Sequence, residues 1–366
     1  MMLTSRNTFN HQPSGRGQDP IAPGKRRCGG IHATKQGTGD EARDKSARHP
    51  KAVPSVLKRL GRKGDRVFVY LVGMVALSTL ALVWVLVAMM VTDSLESIEE
   101  FGFGFLTGRT WDETKDIYGA LPFIFGTLMT SAIAVAVGVP VSIGIAIYLS
   151  ELAPTWIREP LSFVIELLAA IPSVIYGLWA MGALRPILVN SVEPWLIKWF
   201  GWTPFFEGTP QGLDKLAAGL ILAIMIIPTV ASVSKEALRA VPDSQREAAL
   251  SLGATRYETT RMAVLSYARS GIFGACVLGL GRAFGETMAV TMTIGNSNLI
   301  SWSLIDPGQT MASLIANKWG EAAGLHRAAL IEIGVVLFVI ALLINIFARL
   351  MVGRVMKSVP TTGGGL

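Results

Sequence analysis

Two oppositely charged residues, Arg282 and Glu286, lie within a long apolar stretch of the sequence. A bare charge at the depth of a bilayer is costly, so such residues need each other, other polar partners or water. Because they are four residues apart, a continuous helix would place them on one face, where they can pair. A guanidinium stays charged and presents several donors to an oxyanion, and a carboxylate can accept a hydrogen bond from a protonated anion. The pair predicts an anion contact, and the alternative is an ion pair that only fixes helix packing.

Small and polar residues surround this pair. Thr287, Thr291 and Asn296 follow it and can add weaker contacts to an anion, although a threonine in a membrane helix more often bonds to its own backbone carbonyls. Gly281 and Gly285 form a small-residue strip that permits close approach of another helix. The strip predicts a span that lies inside a helix bundle.

A second pattern lies in the loop of residues 235–269. Ser244-x-x-Glu247 has the spacing of a capping box, helix-forming residues follow it, and Gly253 is placed to end the helix. A second helical stretch is predicted at about residues 255–265. Two short helices joined at a glycine corner form a compact projection, which can fill a groove on another protein.

The elements that must hold these residues are long apolar segments. The chain has 366 residues, of which 51% are hydrophobic and only 16% are charged, and its mean hydropathy of +0.47 is too high for a soluble globular protein of this size. A helix of about 20 apolar residues crosses the hydrocarbon core. The sequence therefore predicts an all-α membrane protein with six transmembrane helices, at residues 67–92, about 123–150, 161–184, 216–234, 270–295 and 328–348.

Basic residues indicate how these spans are oriented. Residues 1–66 hold fifteen Lys or Arg against five Asp or Glu, whereas residues 93–120 hold seven acidic residues and only two basic ones. The positive-inside rule places the amino terminus in the cytoplasm, and six crossings return residues 350–366 there. The loop of residues 235–269 is then cytoplasmic too. Residues 1–66 have the composition of a disordered basic cytoplasmic tail.

Several other classes of function find no support. The two cysteines and four histidines lack metal-ligand spacing, so no metal or other cofactor is expected. The spacing from Ala249 to Gly253 also fits a helix-turn-helix, but a loop tethered by two spans is too short for a DNA-binding domain, so no nucleic-acid partner is expected. Because G-x4-G-K-[ST] does not occur, this chain has no phosphate-cradling loop of its own for ATP.

The cytoplasmic loop resembles the Glu-Ala-Ala loop of importer permeases of the ATP-binding-cassette (ABC) class. The shared residues are Glu247, Ala248, Ala249 and, three residues later, Gly253. The resemblance implies a type I ABC importer permease domain at residues 121–349. It also implies that these four residues form the coupling helix that contacts an ATPase.

The run from Gly279 to Asn296 resembles phosphate-importer permeases of the PstC type. The resemblance implies that Arg282 and Glu286 lie on the translocation path of inorganic phosphate. Implied partners are an ATP-binding homodimer, a second homologous permease of the PstA type and an extracytoplasmic phosphate-binding protein, which the outer loops at 93–120 and 185–215 can contact. The protein is thus expected to be a multi-pass subunit of a bacterial inner membrane, with both termini cytoplasmic.

Two alternatives remain at this point. One is a permease for another oxyanion, such as molybdate, sulfate or phosphonate. The other is a membrane enzyme that uses Glu286 as an acid or base. No nucleophile-base pair or metal-ligand cluster accompanies Glu286 in the sequence. A transporter subunit is therefore expected rather than an enzyme.

Overall fold

The computed structural model describes the backbone of residues 55–357 and the side chains of residues 66–350. Residues 1–54, most of the predicted disordered tail, lie outside the described residues. The remainder of that predicted tail, from Ser55 onwards, is helical and continuous with the first apolar segment. Contacts within the chain separate residues 1–69 from residues 70–366, and the packing described below is that of the second unit.

Helices make up most of the described chain, with one small hairpin between α3 and α4. The α-helices are α1 (Ser55–Asp93), α2 (Leu95–Phe101), α3 (Gly104–Thr107), α4 (Leu121–Ile147), α5 (Thr155–Ala170), α6 (Ser173–Trp179), α7 (Arg185–Ile187), α8 (Glu193–Phe200), α9 (Lys215–Arg239), α10 (Asp243–Ser251), α11 (Arg256–Thr259), α12 (Leu265–Gly285), α13 (Met288–Thr293), α14 (Met311–Lys318) and α15 (Gly324–Lys357). The strands β1 (Trp111–Asp112) and β2 (Ile117–Tyr118) are antiparallel, with Trp111 opposite Tyr118. Turns of π-helix lie at Tyr148–Leu152, Ala180–Leu184, Leu188–Val192 and Thr260–Val264.

Five helical segments of the described chain are long and apolar enough to cross a membrane. They are Arg66–Asp93, Leu121–Leu152, Lys215–Arg239, Arg256–Gly285 and Gly324–Leu350. A sixth candidate consists of two parts, Thr155–Ala170 and Ser173–Phe200, which meet at an angle of 94°. The predicted all-α membrane fold is confirmed, and the count reaches six when the bent pair is taken as one span.

The predicted third span, 161–184, is not a continuous helix. It breaks at Ile171 and Pro172, where Ile171 is extended with φ −66° and ψ 129°. Proline disfavours helical geometry in the residue before it and has no N–H to donate, so the break falls at the position that the sequence marks. Across the break, the hydroxyl of Tyr176 donates to the carbonyl of Leu168 at 2.8 Å, which compensates part of the lost backbone bonding.

The core is built around α9. Within its most apolar stretch of 18 residues, 67% is buried. One buried cluster joins Leu222 and Ile226 of α9 to Ala134 of α4 and Ala275 of α12. Small residues set the helix spacing: a side chain at Gly219 would come within 2.6 Å of Ile133. Such close contacts are what hold membrane helices together, because lipid is as apolar as the side chains.

Candidate functional site

The helix that carries Arg282 ends earlier than the sequence predicted. α12 stops at Gly285, whereas the predicted span runs to residue 295. Glu286 has extended geometry, with φ −72° and ψ 125°, so it does not share a helical face with Arg282. Among the ion pairs of the described side chains, none joins Arg282 to Glu286. The predicted i,i+4 pair is therefore wrong, because it assumed an unbroken helix.

The two charged side chains have different neighbours. Arg282 is exposed on the surface of this chain. Glu286 is half-buried, and its Oε1 accepts a hydrogen bond of 3.4 Å from the backbone N–H of Ala289, in the first turn of α13. Within the described chain, the Arg282 guanidinium thus has no carboxylate partner at ion-pair distance, and its donors can serve an anion.

The polar residues after Glu286 bond mainly to their own backbone, as expected for threonine in a membrane helix. Thr291 Oγ1 donates to the Thr287 carbonyl at 2.8 Å, and Thr287 Oγ1 donates to the Gly285 carbonyl at 3.3 Å. Asn296, which has a positive φ of 53°, donates from Nδ2 to the Thr291 carbonyl at 3.0 Å. These hydrogen bonds stabilise the segment that follows the helix break at Gly285.

The helices that follow the two breaks pack against each other. α6, which begins after Pro172, lies against α13, which begins after Glu286: a Cβ built on Gly177 would lie 2.7 Å from Met292 Sδ and 3.2 Å from Ala289 Cα. Irregular backbone at membrane depth is stable only where protein or a water-filled cavity surrounds it, and discontinuous helices commonly mark substrate sites in transporters. Arg282 lies one turn before the second break.

The predicted small-residue strip does not pack within this chain. A Cβ at Gly281 or Gly285 would meet nothing within 4 Å, whereas a Cβ at Gly279 would overlap Val230 of α9. Gly279 is two positions from Gly281, which is more than half a helical turn, so the two glycines lie on different sides of α12. Within the described chain only 28% of its most apolar stretch is buried, so the expectation that this span lies inside a helix bundle stays a prediction.

The loop of residues 235–269 contains the short helix α10 and a tight corner. The predicted capping box at Ser244 does not form, because α10 starts one residue earlier and has Pro242 at its N-cap without a side-chain cap. A capping box occurs instead at the next helix: Thr255 Oγ1 accepts from Glu258 N at 3.3 Å, and Glu258 Oε2 accepts from Thr255 N at 2.8 Å.

The predicted stop at Gly253 is confirmed. Gly253 has a φ of +84°, its N–H donates to the Leu250 carbonyl at 2.9 Å, and the Ala254 N–H donates to the Ala249 carbonyl at 3.2 Å. This pair of bonds is a Schellman motif, which needs a left-handed residue and so favours glycine. The chain therefore leaves α10 in a defined direction.

The surface around the corner is open. Glu247 and Ala248 are exposed, and Ala249 is half-buried. Leu252, beside the corner, is 90% exposed and Tyr257 is 71% exposed. The predicted second short helix is not separate: from Arg256 the chain stays helical through the π turn to Gly285. Any motion of the corner is thus directly connected to the helix that carries Arg282.

Two features were not foreseen from the sequence. Arg246 forms an ion pair with Glu151, 95 residues away, through contacts of 2.9 Å and 3.4 Å. Glu193, at the start of α8, and Asp214, just before α9, are fully buried. The sequence offers a weak signal for Asp214, which precedes an apolar run as a helix N-cap does. In the structure its Oδ1 accepts a hydrogen bond from Ala217 N at 2.7 Å.

The carboxyl groups of Glu193 and Asp214 are neighbours in the buried interior. Oε2 of Glu193 accepts from the N–H groups of Gln211 at 2.9 Å and Gly212 at 3.3 Å. The remaining oxygens, Glu193 Oε1 and Asp214 Oδ2, are buried and lack an ordinary donor, while the two carboxyl groups lie within hydrogen-bonding reach of each other. Burial first, and then the neighbouring Glu193 carboxylate, raises the pKa of Asp214 to about 8. One proton between the two carboxyls satisfies both oxygens.

The comparisons with known proteins agree with this architecture. Residues 138–357 match the family described as binding-protein-dependent transport system inner membrane component. The chain is 46% identical to the phosphate transport system permease protein PstC of Haemophilus influenzae, over 74% of this chain and 87% of that protein. It is 41% identical to PstC of Mesorhizobium japonicum, over 86% of this chain and 94% of that protein.

A solved structure supports the fold independently. The crystal structure of a bacterial ABC transporter involved in the import of the acidic polysaccharide alginate aligns with a TM-score of 0.54 and 18% identity, over 81% of this chain and 99% of that one. At this identity the likeness concerns the fold alone. The family match and the two relatives show that this chain belongs to the binding-protein-dependent transport system inner membrane components and, among them, to the family of PstC phosphate transport system permease proteins.

Proposed function

We propose that this chain is the channel-forming membrane subunit of an ATP-driven, binding-protein-dependent importer of inorganic phosphate. It is a transporter component and not an enzyme, and ATP hydrolysis belongs to a partner. The observation that carries the choice of substrate is the Arg282 guanidinium, which has no carboxylate partner among the described residues and lies one turn before a helix break. The relatives that share 41–46% identity with the chain are named for phosphate transport.

Arg282 suits phosphate because a planar guanidinium can donate two parallel hydrogen bonds to one oxyanion. Glu286 lies four residues further along the chain and stays near the protein surface of this subunit. As a carboxylate it repels a fully ionised anion and accepts a hydrogen bond from a protonated phosphate oxygen. We infer that Glu286 orients or gates the phosphate that Arg282 attracts.

Uptake of labelled phosphate tests the role of Arg282. A hydrogen bond to a charged group contributes about 1.5–3 kcal/mol, so Arg282→Gln should lower the uptake rate by about tenfold or more. Arg282→Lys should retain part of the activity. Arg349→Gln, which removes an exposed arginine at the other end of the membrane region, is the matched control and should transport normally. Parental rates in both Arg282 variants would refute the anion role.

Competing anions test the substrate class. In the same assay, unlabelled phosphate should abolish the uptake of label, whereas molybdate, sulfate and phosphonate should leave it unchanged. Stronger competition by one of those anions would assign the permease to that oxyanion instead.

We further propose that the loop of residues 235–269 is cytoplasmic and that Glu247, Ala248, Ala249 and Gly253 contact a homodimeric ATP-binding subunit. The exposed tip at Leu252 and Tyr257 supports a docking role, since these large apolar side chains lie beside a rigid corner. Both termini are then cytoplasmic, residues 121–349 form the permease domain, and the protein lies in a bacterial inner membrane. Its other partners are a PstA-type permease and an extracytoplasmic phosphate-binding protein.

Co-purification with the nucleotide-binding subunit tests the docking site. Gly253→Pro should abolish it, because proline cannot adopt a φ of +84° and has no N–H to donate to Leu250. Deletion of residues 1–54 is the control and should leave the association intact. Normal co-purification of the Gly253→Pro protein would exclude this corner as the docking site.

A further inference from the structure

The short helix α10 carries one side chain, Arg246, that reaches the ends of two membrane spans. None of its nine residues is buried. Arg246, however, approaches Glu151 with two parallel contacts, from Nη2 to Oε1 at 2.9 Å and from Nε to Oε2 at 3.4 Å. The exposed fractions of the two side chains are 21% and 12%, so this ion pair is largely shielded from water. Shielding and bidentate geometry make such a pair much stronger than a surface salt bridge.

The same guanidinium also holds the carboxyl end of α9. Its Nη2 donates to the Leu238 carbonyl at 3.0 Å, and its Nη1 donates to the Val241 carbonyl at 2.6 Å. The last carbonyls of a helix have no partner within the helix, and a nearby cation both bonds to them and complements the helix dipole. A further contact of Nη1, to Asp243 at 3.1 Å, keeps the guanidinium at the start of α10.

Arg246 therefore joins three elements at one point. Glu151 belongs to the π turn that extends α4, Leu238 lies in the last turn of α9, and Arg246 itself lies in α10. α4 and α9 pack against each other and α9 packs against α12, so they form the centre of the bundle. A push on α10 reaches these spans through the backbone on either side and through this guanidinium.

We propose that Arg246 is a positioning residue that transmits the movement of α10 to the cytoplasmic ends of α4 and α9. This inference rests on the proposed docking of an ATPase on the loop of residues 235–269. Arg246 does not contact the transported anion. Its role is to keep α10 and the two spans moving as one body, so that ATP hydrolysis in the partner is accompanied by transport.

The number of phosphate ions imported per ATP hydrolysed measures this role directly. The complete importer, with all its subunits, is reconstituted into proteoliposomes, and both rates are measured on the same preparation. Arg246→Gln should assemble and hydrolyse ATP, yet import at least tenfold less phosphate per ATP. Arg246→Lys should show a similar loss, because an ammonium cannot reach Glu151 and both carbonyls at once.

A second variant separates the ion pair from the carbonyl contacts. Glu151→Gln removes the charge of the partner but leaves the two hydrogen bonds to Leu238 and Val241. It should lower the ratio by a smaller factor than Arg246→Gln, and the double variant should be no worse than Arg246→Gln alone. Arg239→Gln, an exposed arginine at the end of α9, is the matched control and should keep the parental ratio.

The outcomes separate this inference from the proposed function. A parental ratio in Arg246→Gln overturns the inference and leaves the proposed function in place. Loss of the ATPase from the Arg246→Gln complex also overturns it, because the residue would then act in docking. If the parental protein itself neither binds an ATPase nor imports phosphate, the proposed function fails. A merely structural role would reduce the yield of complex without changing the ratio in the complex that forms.

Discussion

Replacing Asp214 with asparagine should remove a specific dependence of stability on pH. Asp214 and Glu193 are fully buried, and burial raises the pKa of Asp214 to about 8. In the unfolded chain an aspartate releases its proton near pH 4. Between these pH values the folded protein holds one more proton than the unfolded chain. The free energy of unfolding must therefore fall as the pH rises, until the pH passes about 8.

The size of the effect follows from that one proton. A difference of one bound proton changes the free energy of unfolding by about 1.4 kcal/mol per pH unit. Because the Asp214 proton begins to leave as the pH nears 8, the loss between pH 6 and pH 8 should be about 2 kcal/mol. In the Asp214→Asn variant, the new side chain would still accept from Ala217 N, and its amide could donate to Glu193 Oε1 at every pH. The free energy of unfolding of the variant should therefore stay constant between pH 6 and pH 8.

Equilibrium unfolding in mixed micelles at pH 6, 7 and 8 measures the difference. The parental protein should lose stability over the series relative to Asp214→Asn, and the two curves should converge as the pH falls. Asp93→Asn, which removes an exposed carboxylate, is the control and should follow the parental curve. If the parental and Asp214→Asn curves run parallel from pH 6 to pH 8, the two carboxyls do not share a proton.

Two further substitutions test the packing and the loop. Gly126→Ala should destabilise the protein by about 1–3 kcal/mol, because the new methyl would overlap a backbone carbonyl of the segment before α14. Thermal unfolding measures this, and Gly144→Ala, where a Cβ meets nothing within 4 Å, should have little effect. Thr255→Ala removes the capping box at the start of α11 and should lower the stability of that helix by about 1 kcal/mol. Faster proteolysis within the loop should report the loss, with Thr260→Ala, a threonine bonded to its own helix, as the comparison.

Much of the fold could be predicted because it depends on local patterns. Apolar segments long enough to cross a bilayer specify helices wherever they occur, since backbone groups in lipid must bond within their own segment. Gly253 could be predicted for a similar reason. A helix end that needs a positive φ favours glycine, and this preference depends only on neighbouring residues in the sequence. The capping box was misplaced by pattern alone, because Ser244 and Thr255 both have an acidic residue three positions later and only Thr255 lies outside its helix.

The sequence by itself determined the class of protein, the apolar spans, the glycine corner and the presence of unusual charges within the membrane. The tertiary structure decided which groups meet. It separates Arg282 from Glu286 through a helix break at Gly285, which no proline marks, and it brings Arg246 to Glu151 from 95 residues away. The physical reason is how far apart in the sequence the interacting residues lie. Helix formation and membrane insertion are governed by neighbouring residues and by the solvent, whereas these contacts exist only once α4, α9 and α12 have packed.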